Sequence, residues 1–363
     1  MKPDDSAARR PFAARLAFSI VLLVAGLAAG LAMAQEMRFF RIGTGTTGGT
    51  YFPIGGLIAN AISNPPGSRP CNRGGSCGVP GLIAVAQATS GAVENIREMR
   101  LGSFESALSQ ADIAYWAHRG LGPYKGQAPF EELRAIANLY QEAIHLVVRA
   151  DSGIESVEGL RGKRVSVGEE GSGTLVDARE VLAAYGLADK DYKPYYLKPG
   201  PAGDRLVEGE IDAFFIVGGY PVAAVSEAAA RIPIRLLPLD GPEAEKLREG
   251  QPFFTSLVIA ENTYPDVPAT PTLSVGAQWV VRSDLDEELI YGITRALWHP
   301  STHQLLDAGH ARGASIVLSN ALTGLAVPLH PGAARYYREV GLINQAAAER
   351  DGTDTVPASA PQP

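Results

Sequence analysis

One arrangement constrains this chain more than any other, and it occurs twice. A strand, a loop of Gly, Ser and Thr, and a helix follow one another at residues 37–63 and again at 165–187. In the first unit MRFFRIGTG alternates and ends in glycine, as a buried strand entering a turn does, and TYFPIGGLIANAIS carries apolar residues at helical spacing. In the second, Val165-Ser166-Val167-Gly168 reads as a strand, Glu169-Glu170-Gly171-Ser172-Gly173-Thr174 as the loop, and TLVDAREVLAAYGL as an amphipathic helix. A Gly/Thr loop at a helix start offers unpaired N–H groups and hydroxyl donors, which suit a small anion. Alone, either loop could equally be a tight turn. As a pair, one per half, they could face each other across a cleft. A helix N-terminus favours an anion by about 0.3–2 kcal/mol, and charge-assisted bonds add about 1.5–3 kcal/mol each. Together these reach the roughly 8 kcal/mol of micromolar binding without an arginine. Ile216-Val217-Gly218-Gly219-Tyr220-Pro221 is a possible third contributor.

The rest of the chain extends the same alternation. After a Pro- and Gly-rich loop at residues 64–81, LIAVAQATSG reads as strand and turn, and AVENIREMRLG as a short helix stopped by Gly102. SFESALSQ and ADIAYWAHRG give a strand and a helix, and LRAIANLYQEAIHLVVRA two further strands. The pattern restarts near residue 151, where SVEGLRGKRVSVG reads as helix, turn and strand. DRLVEGEIDAFFIVGG, PVAAVSEAAAR and IPIRLLPLD continue it. Residues 255–275, rich in Pro and Thr, read as a connection outside the core; VGAQWVVRSDL reads as a strand and the C-terminal third as helical. With 363 residues, two lobes are expected. The alternation makes both of them α/β with largely parallel sheets.

The N-terminus sets the compartment. Lys2, Arg9, Arg10 and Arg15 precede an uncharged apolar run at residues 16–34 that ends Ala32-Met33-Ala34. This describes a secretory leader cut after Ala34. The run is nearly long enough to span a bilayer, but an Ala-x-Ala end serves a peptidase. Arg9-Arg10 hints at the twin-arginine route, and no cysteine near the cut suggests a lipid anchor. Losing the leader removes four basic residues and two acidic ones (Asp4, Asp5), taking the net charge from −7 to −9. An acidic chain with no later basic run is a poor partner for nucleic acid, and any anion site must be local. Cys71 and Cys77, six positions apart in PCNRGGSCG, read in an oxidising compartment as a disulfide. Two cysteines with no nearby histidine in sequence are too few for a metal.

Other motifs fail on context. Gly43-Thr44-Gly45-Thr46-Thr47-Gly48 matches the dinucleotide pattern G-x-G-x-x-G, but no Asp or Glu follows about twenty residues on. Gly74-Gly75-Ser76-Cys77-Gly78 fits G-x-S-x-G without the flanking strand and helix a nucleophile elbow needs. His299 and His303 have ligand spacing, with His310 beyond, but Pro300 interrupts any helix between them. No histidine falls near the paired loops, so neither catalysis nor a cofactor or metal is expected.

Read in order, RIGTGTTGGTYFPIGGLIANAI, GSRPCNRGGSCGVPGLIAVAQATSGAVENI, LSQADIAYWAHRG, GLRGKRVSVGEEGSGTLVDAREVL and VPLHPGAARYYREVGL resemble the TAXI family, the solute-binding components of one class of TRAP transporters (tripartite, ATP-independent, periplasmic). The cysteine loop is similar to the subgroup known as 31 kDa immunogenic proteins. The resemblance implies a two-lobed periplasmic binding fold of type II-like plan with its ligand cleft between lobes. Lobe 1 would be residues 36–150 plus 275–345 and lobe 2 residues 151–274, with hinges near 146–150 and 257–260 and a disordered tail at 346–363. It implies capture of glutamate, glutamine or a related dicarboxylate and delivery to a TRAP membrane permease. The implied contacts are Thr46, Thr47, Gly48 and Tyr51, then Ser90 and Gln110, then Ser172, Gly173 and Thr174, with Phe215 and Gly218 beside them. Family members commonly have glycine where Thr46 stands, so the backbone approach there could differ. The alternative reading is an exported sensor or antigen of the same fold coupled to a signalling partner. An α/β enzyme on this scaffold lacks an acid–base cluster.

Overall fold

In the computed structural model, which describes residues 37–343, the two strand–loop–helix units seed two halves of one sheet. The leader read over residues 1–34 and the tail read over 346–363 lie outside the described residues.

Strand β1 (Arg38–Gly43) enters the first loop, and helix α1 (Tyr51–Ile62) leaves it. Ile54, Ile58 and Ile62 fall on one face of α1 and are fully buried. A Cβ added at Gly55 would lie 2.4 Å from Thr44 Cγ2, so only glycine lets the helix sit this close to the strand end. The chain continues through a two-residue parallel ribbon, β2 (Ser63–Asn64) with β3 (Val79–Pro80), and then β4 (Leu82–Gln87). Next come α2 (Ala92–Arg100), β5 (Ser106–Gln110) and α3 (Ala111–Arg119). β1 pairs in parallel with both β4 and β5. Between β2 and β3, Cys71 and Cys77 form a disulfide with Cα atoms 4.7 Å apart. Freshly exported protein should therefore titrate no free thiol before reduction and both cysteines after it. Free thiols in unreduced material would contradict this pairing.

The segment LRAIANLYQEAIHLVVR forms one continuous 17-residue strand, β6 (Leu133–Arg149), where two were expected. Its apolar residues face both sides, as in a strand covered on both faces. The polar pair Gln141–Glu142 lies in the middle of the strand. Beyond it the second half builds β7 (Arg164–Ser166), α4 (Gly173–Ala184), β8 (Lys193–Tyr195), α5 (Pro199–Val207), β9 (Ala213–Gly218) and α6 (Ala223–Ala229). β10 (Ile234–Leu236) and α7 (Gly241–Gly250) follow. Residues 255–275, expected as a connection, instead hold β11 (Thr255–Ile259) and the start of β12 (Thr270–Arg282), paired antiparallel from Thr255↔Ser274 to Ile259↔Thr270. Helices α8 (Glu287–Leu297), α9 (Pro300–Gly309) and α10 (Pro331–Glu339) return to the first half. His299 caps the start of α9 by accepting from the Ser301 N–H.

The strands form one ten-stranded mixed sheet in the order β4-β1-β5-β12-β6-β9-β7-β8, with β10 on β6 and β11 on β12. The expectation of largely parallel sheets holds at the two ends only. In the middle, β12 runs antiparallel to β5 and β6, and β6 antiparallel to β9. The reason is that β6 leaves the first half and β12 returns to it, in opposite directions along neighbouring lines. The apolar cores follow the same division. One cluster draws on Phe40 to Tyr140 and on Ala277 to Tyr337. Two others, on the two faces of the second half, draw on residues between Ala143 and Val275. The chain thus passes between cores inside β6, and again at Val275–Ala277. Leu146, near which a hinge was expected, is packed within the second half's core.

Candidate functional site

The two Gly/Thr loops meet. A cavity opens between them, walled on one side by Gly45, Thr46, Gly49, Thr50 and Tyr51 and on the other by Gly168, Glu169, Ser172, Gly173 and Thr174. Ser90, Gly91, Ala92, Gln110 and Glu142 complete the first side, and Leu197, Pro199, Phe215, Ile216 and Val217 the second.

No side chain caps the first turn of α1, and Pro53 at its third position has no N–H to satisfy. That helix start presents backbone donors to the cavity. Thr50 uses its hydroxyl elsewhere, donating to the Gly219 carbonyl across the cleft at 2.8 Å. The second loop is shaped by Gly168 and Gly171, whose positive φ values of 95° and 85° exclude most side chains. Ser172 is the N-cap of α4. Its hydroxyl accepts from the Leu175 N–H at 3.1 Å and donates to the Glu169 carbonyl at 2.6 Å. The serine expected as a ligand donor is therefore occupied in shaping the loop, and Gly173 leads the backbone donors there.

Direct hydrogen bonds already hold the two sides together. Besides Thr50, the Glu94 N–H donates to the Gly171 carbonyl at 2.9 Å. Gln110 Nε2 donates to Asp177 Oδ2 at 2.7 Å, fully buried. Gly173 packs so tightly on Gln110 that an added Cβ would fall 1.3 Å from its Oε1.

Beneath the loops lies a set of carboxyls that sequence reasoning missed. Glu142, midway along β6, is 2% exposed and accepts from the Tyr51 hydroxyl at 2.6 Å. Burial pushes its pKa up to about 8, against the Tyr51 bond, which favours the charged form. Asp112 on α3 and Asp177 on α4 are wholly buried and interact with each other. Burial, together with the neighbouring carboxyls, holds the Asp177 pKa far above the usual carboxylate range, and burial raises Asp112 as well. A pair of this kind keeps a proton because neighbouring desolvated carboxylates cannot both ionise. Glu169, at the mouth, is raised by burial while Lys198 nearby favours its charged form. The signal available in sequence was a lone carboxyl in a mostly apolar run: Glu142 in NLYQEAIHLVV, Asp112 in ADIAYW, Asp177 in TLVDA.

Of the residues expected to touch ligand, Thr46, Tyr51, Ser90, Gln110, Ser172, Gly173, Thr174 and Phe215 line the cavity. Thr47, Gly48 and Gly218 do not. Thr47 is exposed, Gly48 faces Pro199 and Gly200 across the cleft, and Gly218 lies against the Thr50 hydroxyl. Thr174 is more than a free donor, since its Oγ1 accepts from the Val217 N–H at 3.1 Å. Thr174→Val leaves that N–H without its partner. It is expected to cost about 1–2 kcal/mol of stability as well as affinity, measured by denaturant unfolding and calorimetry. An unchanged unfolding midpoint would show the bond to be unimportant.

The described residues form a mixed α/β sheet with helices on its faces, two sets of cores and a cavity closed by a loop from each half. The chain belongs to the NMT1-like family, whose model matches residues 42–341. Among solved structures it is similar to one from Bordetella bronchiseptica RB50 (14% identity, TM-score 0.51, 85% of this chain and 99% of that one). It is also similar to the periplasmic aliphatic sulphonate binding protein SsuA from Escherichia coli (16% identity, TM-score 0.42, 84% of each chain). An ancestral arginine-binding protein bound to arginine matches at 15% identity and TM-score 0.44, over 76% of this chain and 99% of that one. Among the described residues no helix is long and apolar enough to cross a membrane.

Proposed function

We propose that this chain is the periplasmic solute-binding subunit of a TRAP transporter of the TAXI type. It captures a small organic anion, such as glutamate, glutamine or a related dicarboxylate, and delivers it to the membrane permease. The observation that carries the reading is the cavity itself, walled by a helix-start loop from each half of the chain. A solute carboxylate there meets backbone N–H donors from both sides. Among the described residues lining the cavity none is a lysine, arginine or histidine, so these helix-start donors take the place of a basic side chain. The TRAP assignment and export rest on the sequence resemblance and the leader.

Function follows from differential contact. A solute touched by both loops binds the closed arrangement better than the open one, and only that difference shifts the population. The lobes, joined through β6 and β12, move as rigid bodies about those strands. A thermal-shift screen of acidic amino acids and dicarboxylates tests the binding, since a ligand at about 100 times its Kd stabilises by about 2.7 kcal/mol. Scattering tests the closure: the radius of gyration of protein that is open beforehand should fall when the hit is added. A tight ligand that left the curve unchanged would place the site within one half and defeat the clamp.

A further inference from the structure

We propose that Glu142 selects solutes carrying a protonated amine, taking the ammonium at the buried end of the cavity and giving up its own proton as the solute seats. The inference rests on the solute-binding reading above and names the residue that would narrow the solute class to amino acids.

The argument begins with placement. Glu142 lines the cavity and is 2% exposed. Tyr51 donates to Oε2 at 2.6 Å, which fixes the carboxyl plane. Among the described residues Oε1 makes no hydrogen bond. The hydroxyl of Tyr140, on the same strand two residues away and 3% exposed, is buried without a partner. The groups facing this carboxyl are Tyr51 from α1, Asp112 from α3 and, further off, Asp177 from α4. Arg312 acts on Tyr140 and stacks on Tyr220, 4.7 Å from its ring centre. Among the described residues no cation therefore neutralises Glu142.

An unpaired buried carboxylate is costly, and the empty protein avoids that cost by keeping a proton on Glu142. A solute ammonium removes the need for it. The ammonium and carboxylate form a charge-assisted bond, roughly twice as strong as a neutral one. The proton on Glu142 leaves to solvent, and no covalent bond changes. The solute carboxylate meanwhile lies toward the two helix starts. A dicarboxylate without an amine meets a protonated Glu142 and gains only a neutral donor.

Matched pairs that differ in the amine test this: glutamate with glutarate, aspartate with succinate, and alanine with propionate. Titration calorimetry at pH 7 in two buffers of different ionisation enthalpy counts protons. In wild type the amino member of at least one pair should bind about 30-fold or more tighter, with release of close to one proton. In Glu142→Gln the preference should shrink below about threefold and the proton release vanish. Tyr51→Phe, which keeps the carboxyl, should lower affinity but retain both signatures. The deaminated member binding as tightly in wild type, or amine preference without proton release, would overturn the proposal, and the wild-type measurement stands even if Glu142→Gln fails to fold. If no member of any pair shifts the melting temperature, the solute-binding reading itself fails for these classes, and this inference falls with it.

Discussion

Gly173→Val is expected to weaken solute binding at least 100-fold and to abolish the scattering change, while leaving the unliganded protein folded. Gly173 is the first residue of α4, and its backbone lies outside the left-handed region, so valine strains nothing locally. The conflict is across the cleft. An added Cβ would fall 1.3 Å from Gln110 Oε1 and 2.5 Å from its Cδ, and Gln110 cannot swing away without breaking its 2.7 Å bond to Asp177. Closure must stop short, which separates the two sets of backbone donors. A 100-fold loss corresponds to about 2.7 kcal/mol, no more than one or two charge-assisted bonds. None of the three apolar cores includes Gly173, so the unfolding midpoint should move by only a few degrees. Gly48→Ala is the control. Its added carbon would sit 3.6 Å from the Gly200 nitrogen, an ordinary contact, and affinity should stay within about threefold. Calorimetry on both variants decides it, and equal losses would mean the Gly173 contact does not set closure.

The second large effect concerns pH. Asp112, Asp177 and Glu142 have folded-state pKa values raised chiefly by burial. The unfolded chain releases these protons above about pH 4, whereas the folded chain holds that of Glu142 up to about pH 8. Between those limits the unfolded state binds fewer protons at these carboxyls, a loss of stability with rising pH that outweighs the opposite contribution, below about pH 6.5, of His145, whose pKa burial lowers to about 4. Below the unfolded values both states are protonated and the contribution is complete. Carboxylates such as Glu105, which burial would raise but the Arg41 hydrogen bonds hold low, act in the opposite sense only at the acid end. The melting temperature of the unliganded protein should therefore be higher at pH 5 than at pH 8, by about 5 °C or more. Asp177→Asn keeps an acceptor for Gln110 and removes one member of the coupled pair. It should flatten the curve and raise the melting temperature at pH 8. A wild-type profile flat from pH 5 to 8 would show that these carboxyls titrate normally.

How much of this was legible in the sequence depended on the kind of signal. The β1–loop–α1 and second-half loop–α4 units were readable because glycines and a change of apolar period marked their boundaries, as they did for α2 and α3. The continuity of β6 was not readable. Gln141 and Glu142 interrupt the apolar pattern, and only the fold shows Glu142 buried and bonded by Tyr51, 91 positions away. The β11–β12 pairing was hidden for a similar reason: prolines within residues 264–271 suggest irregular chain, yet Pro271 is accommodated in β12 opposite Val258. At the site, residue type identified most of the lining but not what each hydroxyl was doing. Ser172 and Thr174 look interchangeable as donors, and only the fold shows one capping its helix and the other holding β9.

The two crossing strands also determine how such a molecule can be watched. β6 and β12 are paired to each other from Leu133↔Arg282 to Ala143↔Ser274, with irregularities at Ala277/Gln278 and Trp279/Val280. Sliding one half past the other would shear that ladder, whereas flexing a two-stranded ribbon across its face breaks no bond between its strands. The bulged positions bend most readily. The proposed closure is thereby reduced to a single angular coordinate, like a door on a strap. One pair of spectroscopic labels, placed on exposed positions such as Arg97 of α2 and Arg179 of α4, then reports the whole state of the molecule through one distance.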